Sequence, residues 1–247
     1  MSDPIHIISL GAGVQSSTMA LMAAAGEITP MPVAAVFADT GDEPGEVYVW
    51  LAKLEKMLPF PTHRVMSHHG TLLANMFKGD HSQIPAYRPG QIGKRQCTEH
   101  WKRRPIRREM KRIANGSPVV QWIGISVDEI SRAKDSDVQW IVNRHPLLEA
   151  RMHRRNCVGW LRRRGLGAPK SACFYCPYHT DAQWRGFKSD GQSATWRRII
   201  AIDKLLNARG EFLHSSCKHI ADVDFSTEEE RGQLNMFNNE CEGMCGV

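Results

Sequence analysis

The chain has 247 residues, of which 42% are hydrophobic; this is enough for a buried core and excludes a disordered or fibrous protein. No apolar run approaches the roughly 20 residues that span a bilayer, and the first residues show no basic region followed by an apolar stretch, so we expect a cytoplasmic protein that does not enter a membrane. The 32 Lys and Arg residues outnumber the 26 Asp and Glu residues, and the net charge of +6 favours anionic partners such as nucleotides, sulfate or nucleic acid.

Two successive strand, turn and helix patterns open the chain. Residues 4–10 form a short apolar run with β-branched residues, which ends in a glycine turn, and residues 16–25 are rich in Ala, Met and Leu. Residues 33–38 repeat the strand pattern, and Pro44 stands where the first residue of the next helix is expected. The repetition predicts βα units in a parallel sheet.

The later segments divide into a strand-containing part and a helical part. Further strands are predicted at 62–66 and 119–126, and the second of these is nearly continuous in apolar character, as a central strand should be. Helices are predicted at 147–164, 195–206 and 227–237. We therefore predict an α/β fold with a doubly wound, mainly parallel sheet over residues 1–150, followed by a helical, cysteine-containing region over residues 151–247.

The glycine turn after the first strand is a candidate phosphate site. Residues 9–17 read Ser-Leu-Gly-Ala-Gly-Val-Gln-Ser-Ser, and small residues before a helix allow backbone N–H groups to approach an anion. The Ser16 and Ser17 hydroxyls add hydrogen-bond donors. An ordinary tight βα turn explains the same residues equally well.

The second candidate site follows the second strand, at Asp39-Thr40-Gly41-Asp42-Glu43-Pro44. Ligands of open α/β sheets bind beyond the carboxyl ends of the strands, so Asp39 is placed to face a ribose, an adenine or a metal ion. The simpler interpretation, which these residues alone favour, is that Asp39 or Thr40 caps the following helix.

Two groups of basic residues predict anion binding. The first basic cluster, Lys102–Arg112, has seven basic residues in eleven, and the second surrounds Trp160. The second basic cluster consists of Arg151, Arg154, Arg155, Arg162, Arg163 and Arg164. Arginine forks bind phosphate or sulfate, and aromatic residues among them can stack on bases, so both clusters are candidate nucleic-acid contacts. The alternative is a solvated helix face paired with acidic residues.

Seven cysteines, in an odd and uneven arrangement, favour metal or redox chemistry over a disulfide framework. Cys173 and Cys176 form a Cys-x-x-Cys pair followed by proline, and two thiolates at this spacing can bind one metal centre. Cys97, Cys241 and Cys245 are candidates for the remaining ligands. A buried or redox-active pair is the competing interpretation.

These four features, in this order, resemble the PP-loop adenine-nucleotide enzymes, in particular the phosphoadenylylsulfate (PAPS) reductases and their sulfur-transferring relatives. The resemblance runs from about residue 9 to residue 176 and implies an adenine nucleotide alpha hydrolase-like fold that binds ATP or PAPS. It assigns the nucleotide's phosphates to the first loop and the rest of the nucleotide to two later segments. The implied nucleotide-binding residues are Ser9, Gly11, Gly13, Gln15, Ser16, Ser17, Asp39, Thr40, Gly124 and Ser126.

The departures from the family's pattern bear on the reaction. Gln15 stands where PP-loops that split ATP carry Asp, and this loop is closer to that of the reductases. The sequence Gln96-Cys97 replaces the tandem cysteines of iron–sulfur reductases, so one ligand of a [4Fe-4S] cluster is missing. The resemblance implies Cys97, Cys173 and Cys176 as ligands. Either a tail cysteine, with Cys245 as the candidate, supplies the fourth, or one iron is left open for an external sulfur atom. Cys241, in an approximate echo of the reductases' terminal Glu-Cys-Gly, is the candidate nucleophile.

The leading hypothesis is an enzyme that uses an adenine nucleotide and a cysteine-ligated [4Fe-4S] cluster to transfer sulfur to a nucleic acid. Its candidate catalytic residues are Asp39, Cys97 and Cys241. The first alternative is a PAPS or adenylylsulfate reductase that releases sulfite. The second is a non-catalytic nucleic-acid-binding protein stabilised by zinc at Cys173, Cys176, Cys241 and Cys245. The sequence leaves open whether the chain forms a homodimer.

Overall fold

The structure, a computed structural model, describes residues 3–189 and 193–227. The predicted helix at 227–237 lies outside these residues apart from its first position, as do Cys241 and Cys245. The chain divides into two compact units. The first contains residues up to 74 and residues 97–173, and the second contains residues 75–96 and those from 174 onward. The sequence placed a single boundary at residue 150, whereas residues 151–173 group with the first unit.

A five-stranded parallel sheet organises the first unit, with strand order β3-β2-β1-β6-β7. Its strands are β1 (Ile5–Leu10), β2 (Ala34–Asp39), β3 (Thr62–Met66), β6 (Val119–Ile123) and β7 (Ile141–Arg144), while β4 (Tyr87–Arg88) and β5 (Gln91–Ile92) form a separate antiparallel hairpin. The predicted doubly wound α/β class is thereby confirmed. The edge strand β7 was not predicted from the sequence, because it is four residues long and its Val142 is 63% exposed.

Alternation along the strands builds a separate core on each face of the sheet. Ile8, Leu10, Ala35 and Phe37 pack with helices α1 (Val14–Ala24), α2 (Gly45–Glu55) and α6 (Arg154–Arg162). The intervening residues of the same strands pack with α4 (Arg104–Ala114) on the other face. Both faces of β1 and β2 are therefore covered, as parallel sheets require.

The predicted helix over residues 147–164 is interrupted. The structure has a short helix α5 (Pro146–Glu149) and then α6, with Arg151 between them at φ +50°. The break lets α6 pack against α1, where Cys157, Trp160 and Leu161 are buried.

The second unit contains the β4–β5 hairpin, α7 (Asp181–Ser189) and α8 (Ala194–Asn207). A buried carboxylate, Asp203 on α8, accepts hydrogen bonds from the backbone N–H groups of Leu213 (3.2 Å) and Ile220 (2.8 Å). It thereby fixes the chain after α8 to that helix. Among the described residues, no helix is both long and apolar enough to cross a bilayer.

Candidate functional site in the first unit

The sheet changes winding direction at β1, which pairs with β2 on one side and β6 on the other. The glycine loop after β1 and the Gly124 loop after β6 leave the same edge at this switch point, where open α/β sheets bind ligands. A Cβ atom on Gly124 would lie 2.8 Å from Cα and 2.9 Å from N of Ser16. Because backbone atoms cannot yield at that distance, glycine is required for the two loops to meet.

The glycine loop enters α1 in a conformation that leaves the N-terminus of the helix uncapped. Ala12 is buried and has φ +55°, and Gly13 occupies the N-cap position in an extended conformation. Within the described part of the chain, no side chain caps this helix. The Ser16 Oγ accepts a hydrogen bond from Gly11 N (3.2 Å), and Gly11 itself is exposed. The loop thus presents an uncapped helix N-terminus, whose dipole attracts an anion.

One residue of the predicted phosphate site, Ser17, is engaged in the packing of two helices. Ser17 is fully buried, and its Oγ accepts a hydrogen bond from Trp50 Nε1 at 2.9 Å. Its backbone N–H is already bonded to Gly13 O (2.9 Å). Ser17 therefore joins α1 to α2. Ser9 lies within β1, half-buried, in register with Val36 and Ile123.

Gln15 connects the glycine loop to two other segments. Its Oε1 accepts a hydrogen bond from the Arg154 guanidinium (2.9 Å), and its Nε2 donates to Glu129 Oε2 (3.3 Å). Glu129 also pairs with Arg132. The neutral amide at this position therefore joins the loop to the second basic cluster.

Ser126 orders the beginning of that cluster. It is fully buried, and its Oγ donates to Asp128 Oδ2 at 3.2 Å. Asp128 also binds His153 Nδ1 (2.9 Å) and the backbone N–H of Arg154. Burial opposes ionisation of Asp128, but these hydrogen bonds outweigh it and hold the pKa of the carboxyl below its ordinary value. The loop after β6 is thus tied to the first residues of α6.

The segment after β2 is held by Asp39. Its Oδ1 accepts hydrogen bonds from Gly41 N (2.8 Å) and from the Tyr48 hydroxyl (2.7 Å). Burial and the bond to Asp39 raise the pKa of Tyr48, which stays protonated. The helix-cap interpretation is wrong, because the N-cap of α2 is Pro44 and, in the structure as described, no side chain caps the helix.

Cys173 reaches the same segment. Thr40 is fully buried, and its Oγ1 lies 3.3 Å from Cys173 Sγ. Thr40 O also accepts a hydrogen bond from Leu72 N at 3.0 Å. A thiol of the predicted metal set therefore lies at the carboxyl end of β2, next to the strand that leads into the glycine loop.

Glu43 joins the segments that carry the cysteines, and the sequence analysis gave it no role. Its carboxylate is buried and lies 3.3 Å from Lys102 Nζ and 3.4 Å from Ser171 Oγ. Ser171 in turn lies over the glycine loop, since a Cβ on Gly13 would be 3.4 Å from Ser171 Cβ. The only sequence signal was an acidic residue directly before Pro44, which is more typical of an exposed helix start.

The cysteines occupy different surroundings. Cys97 is half-buried and precedes a π-helix, Thr98–Arg103, in the first unit, whereas Cys176 belongs to the second unit. Cys157, which the sequence left without a role, is fully buried, and burial raises the pKa of its thiol to about 11. Among the described residues, no group of three or more His, Cys, Asp or Glu side chains is arranged to hold a metal ion. The described residues therefore do not by themselves fit a metal centre.

The two basic clusters differ in their partners. In the first, Arg103 and Arg107 pair with Asp137, Arg104 with Glu99 and Arg112 with Glu109. In the second, Arg164 pairs with Glu27 and lies over the Trp160 ring. No described acidic residue pairs with Arg155, Arg162 or Arg163, which are exposed.

Comparison with known proteins gives likenesses among solved structures and no sequence relative. No protein-family model matches the chain, and no curated protein matches it. Among solved structures, it is similar to the crystal structure of phosphoadenylyl-sulfate (PAPS) reductase from Candida auris in a phosphate complex. The TM-score is 0.45 at 11% sequence identity, with 68% of this chain and 76% of that chain covered. The chain is thus structurally similar to a PAPS reductase at low sequence identity.

Proposed function

We propose that the protein binds an adenine nucleotide at the switch point of its sheet and uses it in sulfur transfer to a nucleic acid. The phosphates lie at the uncapped start of α1, where Gly11 is exposed and the helix dipole favours negative charge. The rest of the nucleotide extends toward the segment after β2, where Asp39 is fixed by Gly41 and Tyr48.

The observation that carries this proposal is the contact between Thr40 and Cys173. The Sγ atom of Cys173 lies 3.3 Å from Oγ1 of Thr40, directly after β2. A thiol is therefore present at the sheet edge from which the glycine loop departs. Glu43 supports it, because this buried carboxylate holds both Lys102, in the helix that follows Cys97, and Ser171, two residues before Cys173. A buried carboxylate that loses its partners destabilises the fold. Glu43 therefore keeps the segments of Lys102 and Ser171 together.

The acceptor is proposed to lie along the second basic cluster. Arg154 contacts Gln15 of the glycine loop, and α6 continues away from it with three arginines that have no acidic partner among the described residues. In the proposed reaction an acceptor oxygen attacks ATP and becomes adenylylated with release of pyrophosphate, or phosphorylated with release of ADP. A sulfide-level nucleophile then forms the bond to the acceptor carbon as AMP or phosphate leaves. The described residues do not complete the ligand set of a metal cluster.

The [4Fe-4S] cluster remains a proposal from the sequence, with Cys97, Cys173 and Cys176 as ligands and Cys245 as the fourth. Anaerobic purification followed by iron, labile sulfide and zinc analysis tests it, together with an assay for thiolated nucleic acid. Four irons per chain and an ATP-dependent thiolated product are expected. A metal-free protein without a thiolated product would overturn the proposal, and one zinc per chain without nucleotide affinity would favour a binding protein.

A PAPS reductase is the second candidate, favoured by the side chain at position 15. Gln15 is neutral and both ends of its amide are engaged, by Arg154 and Glu129, so the loop carries no carboxylate at this position. In this reaction Cys241 is proposed as the nucleophile toward the sulfate sulfur. Sulfite release from PAPS with reduced thioredoxin, abolished in Cys241→Ser, would place this reaction ahead of the first.

A further inference from the structure

A cavity of about 380 Å³ lies in the second unit, against the β4–β5 hairpin. Its volume is within the range of small-molecule sites. The polar side chains that line it belong to His81, Ser82, Arg88, Gln91, Lys94 and Gln96. None of these residues has a role in the proposed function, so the cavity requires an explanation of its own.

Arg88 is held in this cavity by a buried carboxylate. Glu211 is 1% exposed and accepts hydrogen bonds from the backbone N–H of Ser82 at 3.1 and 3.3 Å, one to each oxygen. It also forms an ion pair with Arg88 Nη2. Reciprocal backbone hydrogen bonds between Tyr87 and Phe212, at 2.8 and 2.9 Å, keep β4 beside Glu211. The guanidinium is therefore fixed in place before any ligand arrives.

The residues that line the cavity carry further N–H donors. The Nη1 atom of Arg88 lies 3.3 Å from His81 Nε2, and a guanidinium has five N–H donors in total. Lys94 adds an ammonium group, and Gln91 and Gln96 add amide donors. Gly93 N donates to Ala86 O at 2.8 Å, which fixes the backbone of the hairpin that carries them.

The charge of the cavity follows from these partners. No Asp or Glu is among the described residues that line it, and Glu211, behind it, is engaged by Arg88. Lys94 therefore gives the cavity a net positive charge. This charge and the hydrogen-bond donors of the lining residues are complementary to a small anion rich in acceptor oxygens. We propose that this cavity binds a tetrahedral oxyanion, either free phosphate or sulfate or the same group on a larger ligand.

The test is a titration of the full chain with sodium phosphate, followed through the backbone amide signals of Gln91, Gly93 and Gln96. Sodium sulfate and a sodium chloride series of equal ionic strength are run in parallel. We expect saturable shifts at these amides with phosphate and sulfate, and none with chloride. Reading the hairpin directly separates this site from any anion bound at the glycine loop, so the outcome does not depend on the proposed function.

Lys94→Ala is the informative variant, because Lys94 is exposed and its removal leaves the Arg88–Glu211 pair intact. Lys78→Ala is the matched control, since it removes an exposed lysine of the same unit that does not line the cavity. We expect about a tenfold weaker affinity in Lys94→Ala and no change in Lys78→Ala. Absent shifts, equal shifts with chloride, or undiminished binding in Lys94→Ala would each overturn the proposal.

Discussion

The two basic clusters look alike in the sequence and differ in the structure. The first basic cluster follows Cys97 and lies on the π-helix and α4, where four of its arginines pair with acidic residues. The second lies on and around α6, where four arginines, Arg151, Arg155, Arg162 and Arg163, have no acidic partner among the described residues and a fifth, Arg154, contacts the glycine loop. Density of basic residues is therefore a poor guide to free positive charge.

The difference arises from acids that are distant in sequence. Asp137, 30 residues after Arg107, lies between Arg103 and Arg107, and these arginines lower the pKa of its carboxyl. Glu43, which binds Lys102, is 59 residues before it. The exposed ion pairs of Asp137 add little stability, but they compete with an external phosphate for the same guanidiniums.

The largest effect is expected from the second cluster. A triple variant, Arg155→Ala, Arg162→Ala and Arg163→Ala, removes three exposed charges that have no described acidic partner. If each contacts one phosphate, the slope of log affinity against log salt falls by roughly 3 units, and nucleic-acid affinity falls by about 100-fold at low salt. Binding to a double-stranded oligonucleotide over a salt series measures both quantities.

The matched control removes the same number of charges from the first cluster. Arg103→Ala, Arg104→Ala and Arg107→Ala together delete three arginines that already pair with Glu99 or Asp137. We expect a change several times smaller than in the second-cluster variant. Equal losses in the two triple variants would show that the ion pairs do not distinguish the clusters.

A smaller effect, of opposite sign, is expected on releasing the first cluster. Asp137→Asn removes the charge that holds Arg103 and Arg107 while leaving both arginines in place. Nucleic-acid affinity should rise by about two- to fivefold, because the freed guanidiniums become available to phosphates. The same oligonucleotide titration measures it, and unchanged or weaker binding would mean that this face does not meet the acceptor.

The smallest effect concerns the attachment of the second cluster to the loop after β6. The pKa of Asp128 is lowered in the folded protein, so its contribution to stability is present above the carboxyl's ordinary pKa and is lost as the pH falls through the folded value. Asp128→Asn should therefore destabilise the protein at pH 7 and reduce the loss of stability in acid. Thermal unfolding of the unaltered protein and of Asp128→Asn at pH 7 and pH 3.5 measures this. An equal loss of thermal stability between the two pH values in both proteins would refute it.

Local patterns in the sequence were sufficient for the central sheet. Strands at 4–10, 33–38, 62–66 and 119–126 correspond to β1, β2, β3 and β6. The apolar runs of β1, β2 and β6 reflect buried residues, whereas β3 has none. Strand β7 was missed because half of its four residues are polar and Val142 faces out. No glycine or proline stands at the break between α5 and α6, which depends on a non-glycine residue, Arg151, at positive φ.

The site was predictable only as separate motifs. The glycine loop, Asp39, Gly124 and Cys173 could each be recognised from neighbouring residues, but the contacts among them join positions more than 100 residues apart, as with Thr40 and Cys173. Glu43, and the bond between Ser17 and Trp50, were missed for the same reason. Whether an oxygen faces a ligand or the indole of Trp50 depends on packing between helices, which no local pattern records.

The central claim is that the loop after β1 holds the phosphates of an adenine nucleotide, and calorimetric titration of ATP into the Gly11→Ala variant tests it most directly. A Cβ on the exposed Gly11 would meet only Ser16 Oγ, at 3.6 Å, so the variant should fold normally while its methyl group obstructs the approach of a phosphate. Gly186→Ala, in open space on α7, is the control. The account predicts at least a roughly tenfold loss of ATP affinity in Gly11→Ala and none in the control. Equal affinity in all three proteins, or no ATP binding by the unaltered chain, would contradict it.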